Sequence, residues 1–333
     1  MKLRVGILGG GSWGTTVGCL ASRNAPTIVW ARRTDVAEEI NREHTNSTYL
    51  PGFKLPPDLR ATDSIEEAVR DADVVIVGVP SHGFRACCES LRPFIRPWVP
   101  VLSLSKGLEQ GSLLRMTQVI EEALPGHPMG VLTGPNLAKE IMSGFAAATV
   151  IGMSEQTIAC ELQRIFRSGL FRVYTNSDVI GCELGGALKN VIAIAAGMGV
   201  GMGVGQNTLA AVITRGLAEL TRLGVAMGGQ PETFAGLAGM GDLLATCTSP
   251  QSRNRHVGEQ LGRGRKIEEI TAEMNEVAEG VKSSVSVMEL SARHNVPMPI
   301  AHEVYRVVHE GSSASDAYRG LIRMAPRSEQ EPG

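Results

Sequence analysis

The sequence predicts an α/β fold built on a doubly wound, mostly parallel sheet, followed by an all-helical domain. Short apolar runs alternate with amphipathic segments as far as residue 177, and no convincing strand pattern follows. At 333 residues the chain is also too long for one ordinary core. We therefore expect one domain over 1–177, a second over 178–324, and a disordered polar tail over 325–333.

Composition narrows the class of protein. A hydrophobic content of 43% and a charged content of 20% are typical of a globular protein, and a net charge of −2 argues against nucleic acid as a partner. The six cysteines show neither a C-x-x-C pair nor metal-like spacing, so we expect free thiols and no metal site. The chain starts without a signal-peptide pattern, and its uncharged run at 191–205 is a poor membrane span. These features favour a cytoplasmic protein without stable membrane insertion.

The first strand pattern, at 3–8, leads directly into a glycine-rich turn. The turn reads Gly9-Gly10-Gly11-Ser12-Trp13-Gly14, and a helical pattern follows over 15–24. A G-x-G-x-x-G motif between a strand and a helix is typical of a Rossmann-type dinucleotide-binding domain. Gly9 allows the tight turn, Gly11 lets a pyrophosphate approach the backbone, and Gly14 lets the helix pack on the strand. The sequence therefore predicts a dinucleotide on this turn, although a glycine turn of some other α/β protein is the alternative.

The second strand pattern, at 27–31, ends in Arg32 and Arg33. Sites specific for NAD usually carry an acidic residue at this strand end, and here Asp35 follows only a few residues later. Guanidinium groups match the 2′-phosphate of NADP. We expect NADP, or both NADP and NAD, as the cofactor. The choice between the two arginines stays open, and a solvated loop is the alternative.

Further elements complete the first domain. The remaining strand patterns cover 73–80, 99–104, 131–133, 146–152 and 171–175, and helical patterns cover 64–71 and 155–167. Between the second strand and these elements, the polar, proline-marked segment 42–63 is expected to form a loop over the site.

Polar groups follow three of these strands at the carboxyl edge of the sheet, where ligands of such folds bind. His82 follows one strand, but a single loop histidine more often serves packing or hydrogen bonding than acid/base chemistry. Lys106 lies beside Gly107 after the next strand and indicates an anionic ligand. Gly134, Pro135 and Asn136 follow the third strand, where backbone N–H groups could hold a ligand oxygen.

The second domain contains helical patterns only. They cover 178–197, 208–223, 231–247, 254–262, 267–274, 281–294, 300–310 and 314–322. Lys189 is the only charged side chain between residues 184 and 214, and its helix face carries small neighbours such as Gly185 and Ala193. Because desolvation disfavours an ammonium, we expect the pKa of Lys189 to lie below that of a solvated lysine, which suits a general acid/base. A lysine that extends to water at a helix edge is the alternative.

Two further groups of polar residues lie in the helical domain. Asp242 follows a glycine bend, and Ser252-Arg253-Asn254 places a hydroxyl, a guanidinium and an amide near a helix start, which suits a phosphate. Helix capping is the competing interpretation for both, and also for Glu279 before the helical pattern at 281–294. We expect the site in the cleft between the two domains.

Together these motifs resemble the bacterial type of NAD(P)-dependent sn-glycerol-3-phosphate dehydrogenase. The matching motifs occur in the order of that family and span nearly the whole chain. They are 9–14, Val79-Pro80-Ser81-His82, 103–107, Thr133-Gly134-Pro135, 185–191, Thr214-Arg215-Gly216-Leu217, 236–242, Thr246-Cys247 and Ser252-Arg253-Asn254.

The resemblance implies a role for each matching residue. It makes Lys189 the proton donor and acceptor. It implies a substrate site of Lys106, Gly134, Asn136, Lys189, Asp242, Ser252, Arg253 and Asn254. With the glycine turn and both arginines, the expected cofactor contacts are Gly9, Gly11, Ser12, Trp13, Gly14, Arg32, Arg33, Lys106, Ala138, Arg253, Val277 and Glu279. Asn136 departs from the family, which commonly has serine there, although an amide can still hydrogen-bond a substrate oxygen.

The implied reaction is the reversible reduction of dihydroxyacetone phosphate to sn-glycerol 3-phosphate, which supplies the glycerophospholipid backbone. Lys189 would exchange the proton, Asp242 would hold its ammonium, and Lys106 would lower its pKa. Family likeness also suggests a homodimer through the helical domain. The competing functions are a related dehydrogenase of β-hydroxyacids and a non-catalytic NADP(H) redox-sensing protein.

Overall fold

The computed structural model describes residues 3–274 and 278–323 and divides the chain into two compact units, Met1–Val179 and Ile180–Gly333. Unit 1 is an α/β domain and unit 2 is helical throughout its described part, so the predicted fold class is confirmed. The tail predicted at 325–333 and the cofactor contact predicted at Val277 lie outside the described residues.

Unit 1 is organised around one sheet of eight strands. The strands are β1 Val5–Leu8, β2 Thr27–Trp30, β3 Arg60–Thr62, β4 Val74–Val77, β5 Val101–Ser103, β6 Met129–Thr133, β7 Ala147–Met153 and β8 Phe171–Asn176. Their order is β3-β2-β1-β4-β5-β6-β7-β8, and only the β6–β7 pair is antiparallel. The order reverses between β1 and β4, and folds of this kind bind their ligands at the carboxyl ends of the strands there.

Helices cover both faces of the sheet. They are α1 Ser12–Ser22, α2 Thr34–Glu43, α3 Ile65–Val69, α4 Phe84–Leu91, α5 Met116–Ala123, α6 Ala138–Met142 and α7 Gln156–Phe166, with a 3-10 turn at Ser81–Gly83. One apolar cluster lies under α1 and α7, and the other lies under α4 and α5. Because both faces are covered, every residue of β1 and β4 is buried, which explains their continuous apolar runs.

The prediction of a loop over 42–63 is wrong in part. Its first residues belong to the end of α2, and its last ones form β3, an edge strand that pairs with β2. A strand of three residues with an exposed arginine is too short to show a periodic apolar pattern. The middle of the segment is also anchored, since Leu50, Leu55 and Leu59 are buried in the core of unit 1.

Unit 2 consists of helices in its described part. They are α8 Val179–Gly201, α9 Gln206–Ala226, α10 Pro231–Ala235, α11 Asp242–Thr248, α12 Arg253–Gly262, α13 Ile267–Glu273, α14 Glu279–His294, α15 Pro299–His309 and α16 Ala314–Arg323, with a π-helical segment at Leu237–Gly241. The single helix predicted at 231–247 is therefore wrong. Gly236 has extended backbone, with φ −91° and ψ −162°, and it separates α10 from the π-helical segment.

The central element of unit 2 is α8, which is buried from Gly181 to Gly199. By length and composition alone it could cross a membrane, with a mean hydropathy of 1.5, but 83% of that apolar window is buried inside the protein. Burial of this kind is what a core helix requires, and it accounts for the apolar composition without a bilayer.

Glycines bring α8 and α12 into backbone contact. A Cβ on Gly197 would lie 2.2 Å from the carbonyl oxygen of Arg255, and one on Gly258 would lie 2.0 Å from that of Ile194. The same holds one turn later, at Gly201 and Gly262. Only residues without a Cβ fit at such a crossing. The glycines therefore fix α12, including its first turn, against the helix that carries Lys189.

A buried carboxylate joins α9 to α15. Glu219 is 2% exposed, and its carboxylate accepts the backbone N–H groups of Ile300 at 2.8 Å and Ala301 at 3.3 Å. These N–H groups belong to the first turn of α15, where no helical partner exists for them. Desolvation raises the pKa of Glu219 to about 7, opposed by the two hydrogen bonds and by the charges of Arg222 and Arg215.

The raised pKa of Glu219 makes the stability of the protein depend on pH. An unfolded glutamate titrates near ~4.3, so between that pH and about 7 the folded state binds more protons than the unfolded state. The free energy of unfolding should therefore fall as pH rises through this window. Urea unfolding at pH 5 and pH 8 measures this fall in the free energy of unfolding. In Glu219→Gln the fall should be smaller than in wild type by on the order of 2–3 kcal/mol. Exposed Glu232→Gln is the control, and an equal decline in wild type and Glu219→Gln would contradict the expectation.

Candidate functional site

The glycine-rich turn has the geometry that its sequence predicts. Gly9 has φ +133°, and a Cβ there would lie 2.5 Å from the carbonyl oxygen of Gly78. A Cβ on Gly14 would lie 2.0 Å from the carbonyl oxygen of Gly9, so α1 packs directly on the turn. A Cβ on Gly11 would meet nothing within 4 Å. The turn is thus tight on its inner side and open at Gly11, where α1 begins.

An unpaired donor lies beside this turn. The indole Nε1 of Trp13 is buried and has no hydrogen-bond partner in residues 3–274 or 278–323. A buried N–H without an acceptor is costly and is typical of a position that a ligand satisfies. Trp13 and Ala138 pack against the same apolar core, so two of the predicted cofactor contacts share one side of unit 1. The open Gly11 backbone and the unpaired indole fit a bound dinucleotide.

The two arginines after β2 differ in their contacts. Arg33 forms an ion pair with Asp35, in which its Nε lies 3.0 Å from Oδ1 and its Nη2 also bonds the carboxylate. The guanidinium of Arg33 lowers the pKa of Asp35. Arg32 is exposed and has no hydrogen bond or ion pair with the described part of the chain. Arg32 is therefore the better candidate for a 2′-phosphate contact.

The carboxyl ends of β5 and β6 bring two predicted residues together. Lys106 Nζ donates to the carbonyl oxygen of Gly134 at 2.8 Å, and Gly134 has φ +123°. Asn136 Nδ2 donates to Thr149 Oγ1 at 3.0 Å, which uses one of its two N–H groups and orients the amide. Its Oδ1 is buried without a partner in the described residues, as is Thr133 Oγ1. Asn136 is thus placed to accept a hydrogen bond from a ligand.

His82, the weaker candidate, is exposed in the 3-10 turn Ser81–Gly83. That position gives it none of the burial or fixed hydrogen bonding that would single out an acid/base group.

In unit 2, Lys189 is only 4% exposed and is bound to α11. Its Nζ donates to Asp242 Oδ1 at 2.7 Å and to Thr246 Oγ1. Asp242 is 2% exposed, and the Thr246 hydroxyl donates to the carbonyl oxygen of Asp242 at 2.6 Å. A buried ammonium is stable only when a carboxylate and further hydrogen bonds compensate its charge. The structure therefore shows a buried, oriented lysine rather than one that extends to water.

Small residues explain how Asp242 reaches the lysine. A Cβ on Gly185, one turn before Lys189, would lie 2.5 Å from the carbonyl oxygen of Ala238 in the π-helical segment. A Cβ on Gly239 would lie 2.2 Å from the carbonyl oxygen of Phe234. The small face next to Lys189 therefore receives a segment of the same unit, which leads directly into Asp242.

At the start of α12, the side chain of Ser252 caps the helix and that of Asn254 hydrogen-bonds neighbouring helices. Ser252 is the N-cap of α12, because its Oγ accepts the N–H of Arg255 at 3.2 Å. Asn254 donates to Asn190 Oδ1 at 3.0 Å and accepts the N–H of Gly280 at 2.8 Å. The amide of Asn254 thus ties α12 to α8 and to the start of α14. Binding of a phosphate by these residues stays a prediction.

Arg253 and Glu279 each occupy the first position of a helix, Arg253 in α12 and Glu279 in α14. Thr246 and Asn190 lie in the sequence motifs but were not predicted as site residues. Thr246 follows Asp242 by four residues, on the same helix face, and Asn190 follows Lys189 directly. These positions relative to Asp242 and Lys189 are the signal that could have identified Thr246 and Asn190.

The cysteines and the possible metal ligands of the described residues were the other candidates for chemistry. All six cysteines are free, and burial raises the pKa of Cys247, next to Thr246, to about 12, which keeps its thiol protonated. Within residues 3–274 and 278–323 no group of three or more His, Cys, Asp or Glu side chains could hold a metal ion.

Fold and site define a class: two-domain, dinucleotide-binding oxidoreductases whose helical domain carries a buried lysine–carboxylate pair. Comparison with known families agrees. The model of the NAD-dependent glycerol-3-phosphate dehydrogenase N-terminus matches residues 4–159, and the model of its C-terminus matches residues 178–319. The chain therefore belongs to the NAD-dependent glycerol-3-phosphate dehydrogenase family, as the sequence resemblance predicts.

Individual relatives match over their full length. A glycerol-3-phosphate dehydrogenase [NAD(P)+] 2 of Sphingopyxis alaskensis is 61% identical over 333 residues, which is 100% of both chains. A glycerol-3-phosphate dehydrogenase [NAD(P)+] 1 of Mycobacterium tuberculosis is 56% identical over 98% of this chain and 96% of its own. The crystal structure of glycerol-3-phosphate dehydrogenase from Coxiella burnetii superposes with a TM-score of 0.92 at 34% identity, over 97% of this chain and 99% of that chain.

The buried pair leads to a prediction about stability. Asp242→Ala would leave the ammonium of Lys189 buried without its carboxylate, so the free energy of unfolding should fall by about 3–5 kcal/mol. The combined variant Lys189→Met and Asp242→Leu removes both charges and should recover most of this loss. Urea unfolding followed by circular dichroism measures both. If the combined variant were as unstable as Asp242→Ala, packing rather than charge would explain the effect.

Proposed function

We propose that this chain catalyses the reversible, NAD(P)-dependent reduction of dihydroxyacetone phosphate to sn-glycerol 3-phosphate. The observation that carries the proposal is the buried Lys189, oriented by Asp242 and Thr246. Family membership and the names of relatives at 56–61% identity support the substrate and the two cofactors.

Most of the proposed cofactor contacts lie in unit 1. NAD(P)H, when bound, supplies the hydride that reduces the C2 carbonyl of the substrate. We assign its binding to Gly9, Gly11, Ser12, Trp13, Gly14, Arg32, Arg33, Lys106, Ala138, Arg253, Val277 and Glu279. The open backbone at Gly11 and the unpaired Nε1 of Trp13 support this assignment in unit 1. Because Asp35 neutralises Arg33, we assign the 2′-phosphate of NADP to Arg32.

Lys189 is the proposed proton donor and acceptor. Reduction of a carbonyl places negative charge on the C2 oxygen, which needs a proton and a nearby positive charge. The Lys189 ammonium provides both, while Asp242 and Thr246 fix the direction of its N–H groups. In the reverse reaction the neutral amine takes the proton of the C2 hydroxyl.

The phosphate of the substrate is assigned to the start of α12. Ser252, Arg253 and Asn254 supply donors there, and the N-terminus of a ten-residue helix favours an anion. In unit 1, Lys106, Gly134 and Asn136 are the proposed substrate contacts, and the unpaired Oδ1 of Asn136 is suited to a hydroxyl donor.

We further propose a cytoplasmic homodimer that associates through unit 2 and supplies glycerophospholipid synthesis. The proposal of a dimer follows the family resemblance, and Met240, Leu244 and Val225, which are 46%, 50% and 40% exposed in unit 2, are candidates for its contact surface. The mass in solution, measured by light scattering, tests the dimer.

Replacement of the lysine tests the proton-transfer role. Lys189→Ala should reduce kcat with dihydroxyacetone phosphate by roughly 10²- to 10⁴-fold, because the general acid is lost. NADPH binding, measured by fluorescence titration, should be retained because Lys189 is not among the proposed cofactor contacts. Exposed Lys266→Ala in the same unit is the control and should turn over normally. Near-normal turnover of Lys189→Ala would remove this residue from the mechanism.

Replacement of Arg32 tests cofactor recognition. Arg32→Asp should raise the Kd of NADPH by roughly 10- to 100-fold, which is the value of a hydrogen-bonded charged contact, and should change the Kd of NADH far less. Arg33→Ala is the matched control, and a smaller effect is expected because Asp35 already holds that guanidinium. Equal losses for NADH and NADPH in Arg32→Asp would argue against a 2′-phosphate contact.

A further inference from the structure

The segment 44–59, which connects α2 to β3, is attached to α2 at its start. The Glu39 carboxylate of α2 accepts the Thr45 hydroxyl at 2.8 Å and the backbone N–H of Ser47 at 2.6 Å. Between these two residues lies Asn46, whose side chain is therefore held in a fixed position. The buried side chains of Leu50 and Leu55 anchor the rest of the segment to the core of unit 1.

Asn46 reaches the glycine-rich turn directly. It is 0% exposed, and its Nδ2 donates to the carbonyl oxygen of Gly10 at 2.9 Å and to Thr15 Oγ1 at 3.0 Å. Its Oδ1 accepts the backbone N–H of Tyr49 at 3.3 Å. Both ends of the amide are thus engaged, which fixes its orientation toward Gly10.

The bond to Gly10 determines where the next N–H points. The carbonyl of Gly10 and the N–H of Gly11 belong to one planar trans peptide, in which these two groups point in opposite directions. With the carbonyl held on Asn46, the Gly11 N–H faces away from Asn46. A Cβ on Gly11 would meet nothing within 4 Å, so the turn is open there.

This peptide needs an external constraint. Rotation of a peptide plane is hindered mainly by the side chains on either side of it, and here both neighbours are glycines. The inner side of Gly10 is already filled, because a Cβ there would lie 2.8 Å from the Cβ of Ala31. Among the described residues, it is the side chain of Asn46 that hydrogen-bonds the carbonyl oxygen of Gly10.

We propose that Asn46 is a positioning residue for the cofactor: it holds the Gly10–Gly11 peptide so that the Gly11 N–H is presented to the anionic pyrophosphate of NAD(P). Asn46 acts through the backbone and does not touch the cofactor. The inference rests on the proposed function only in that the anion is the pyrophosphate of a nicotinamide dinucleotide.

The test compares NADPH affinity with turnover in the full-length chain. Asn46→Ala should raise the Kd of NADPH roughly tenfold, and Asn46→Asp roughly a hundredfold, because a carboxylate repels the Gly10 carbonyl and favours the opposite peptide orientation. Quenching of tryptophan fluorescence measures the Kd. At saturating NADPH, kcat and the KM for dihydroxyacetone phosphate should stay within about twofold of wild type, since a positioning role affects cofactor binding only.

Two controls separate positioning from stability. Thr48→Ala changes an exposed residue of the same segment and should bind NADPH as wild type does. Leu55→Ala destabilises the segment by removing buried methyl groups but leaves Asn46 in place, and it should raise the Kd much less than Asn46→Ala. An unchanged Kd in Asn46→Ala and Asn46→Asp, or an equal rise in Leu55→Ala, would overturn the proposal.

A second pair of variants covers the case in which the Asn46 variants do not fold. Thr15→Val removes the other acceptor of the Asn46 amide and should raise the Kd about three- to fivefold, whereas Thr15→Ser keeps the hydroxyl and should restore it. Equal Kd values for these two variants would contradict the inference. A failure of the proposed function is distinguishable. If the variants change the Kd of NADPH as expected but the wild-type protein does not oxidise NADPH with dihydroxyacetone phosphate, the proposed function fails while the inference about Asn46 stands.

Discussion

The ion pair of Lys189 with Asp242 is the interaction on which unit 2 depends. An ammonium that is 4% exposed costs several kcal/mol unless a carboxylate compensates it, so the carboxylate must arrive at hydrogen-bond distance. That requirement explains three neighbouring features. Gly185 lets the π-helical segment touch α8, the wider π turn leads into Asp242, and Thr246 on the next turn of α11 gives the ammonium a second acceptor.

Polar groups in the two units fall into two physical classes. In unit 2, Asn254 donates to Asn190 and accepts the N–H of Gly280, so these contacts stabilise one arrangement of α8, α12 and α14. In unit 1, buried atoms of Trp13, Thr133 and Asn136 have no partner in the described residues. Satisfied buried polar groups add rigidity, whereas unsatisfied ones carry a desolvation cost that a ligand can relieve. The unsatisfied atoms of Trp13, Thr133 and Asn136 are therefore suited to meet a ligand.

The predictions failed where local pattern was weak. Strand β3 has three residues, one of them an exposed arginine, so it does not stand out by periodicity. The helix predicted across 231–247 failed for another reason, because its apolar spacing continues through Gly236 while the backbone does not. Asn46 lies in the part of 42–63 that does form a loop, and it is buried against the glycine turn.

The sequence by itself determined the fold class, the glycine turn and the candidate residue Lys189, because each depends on local spacing: alternating apolar runs, three glycines between a strand and a helix, and one charge in an apolar helix. It also carried the family resemblance. Only the tertiary structure decided the partners. Residue 242 is 53 positions from Lys189, and Asn46 is 36 from Gly10. Contacts between such distant residues are set by packing of whole elements, which no local pattern encodes.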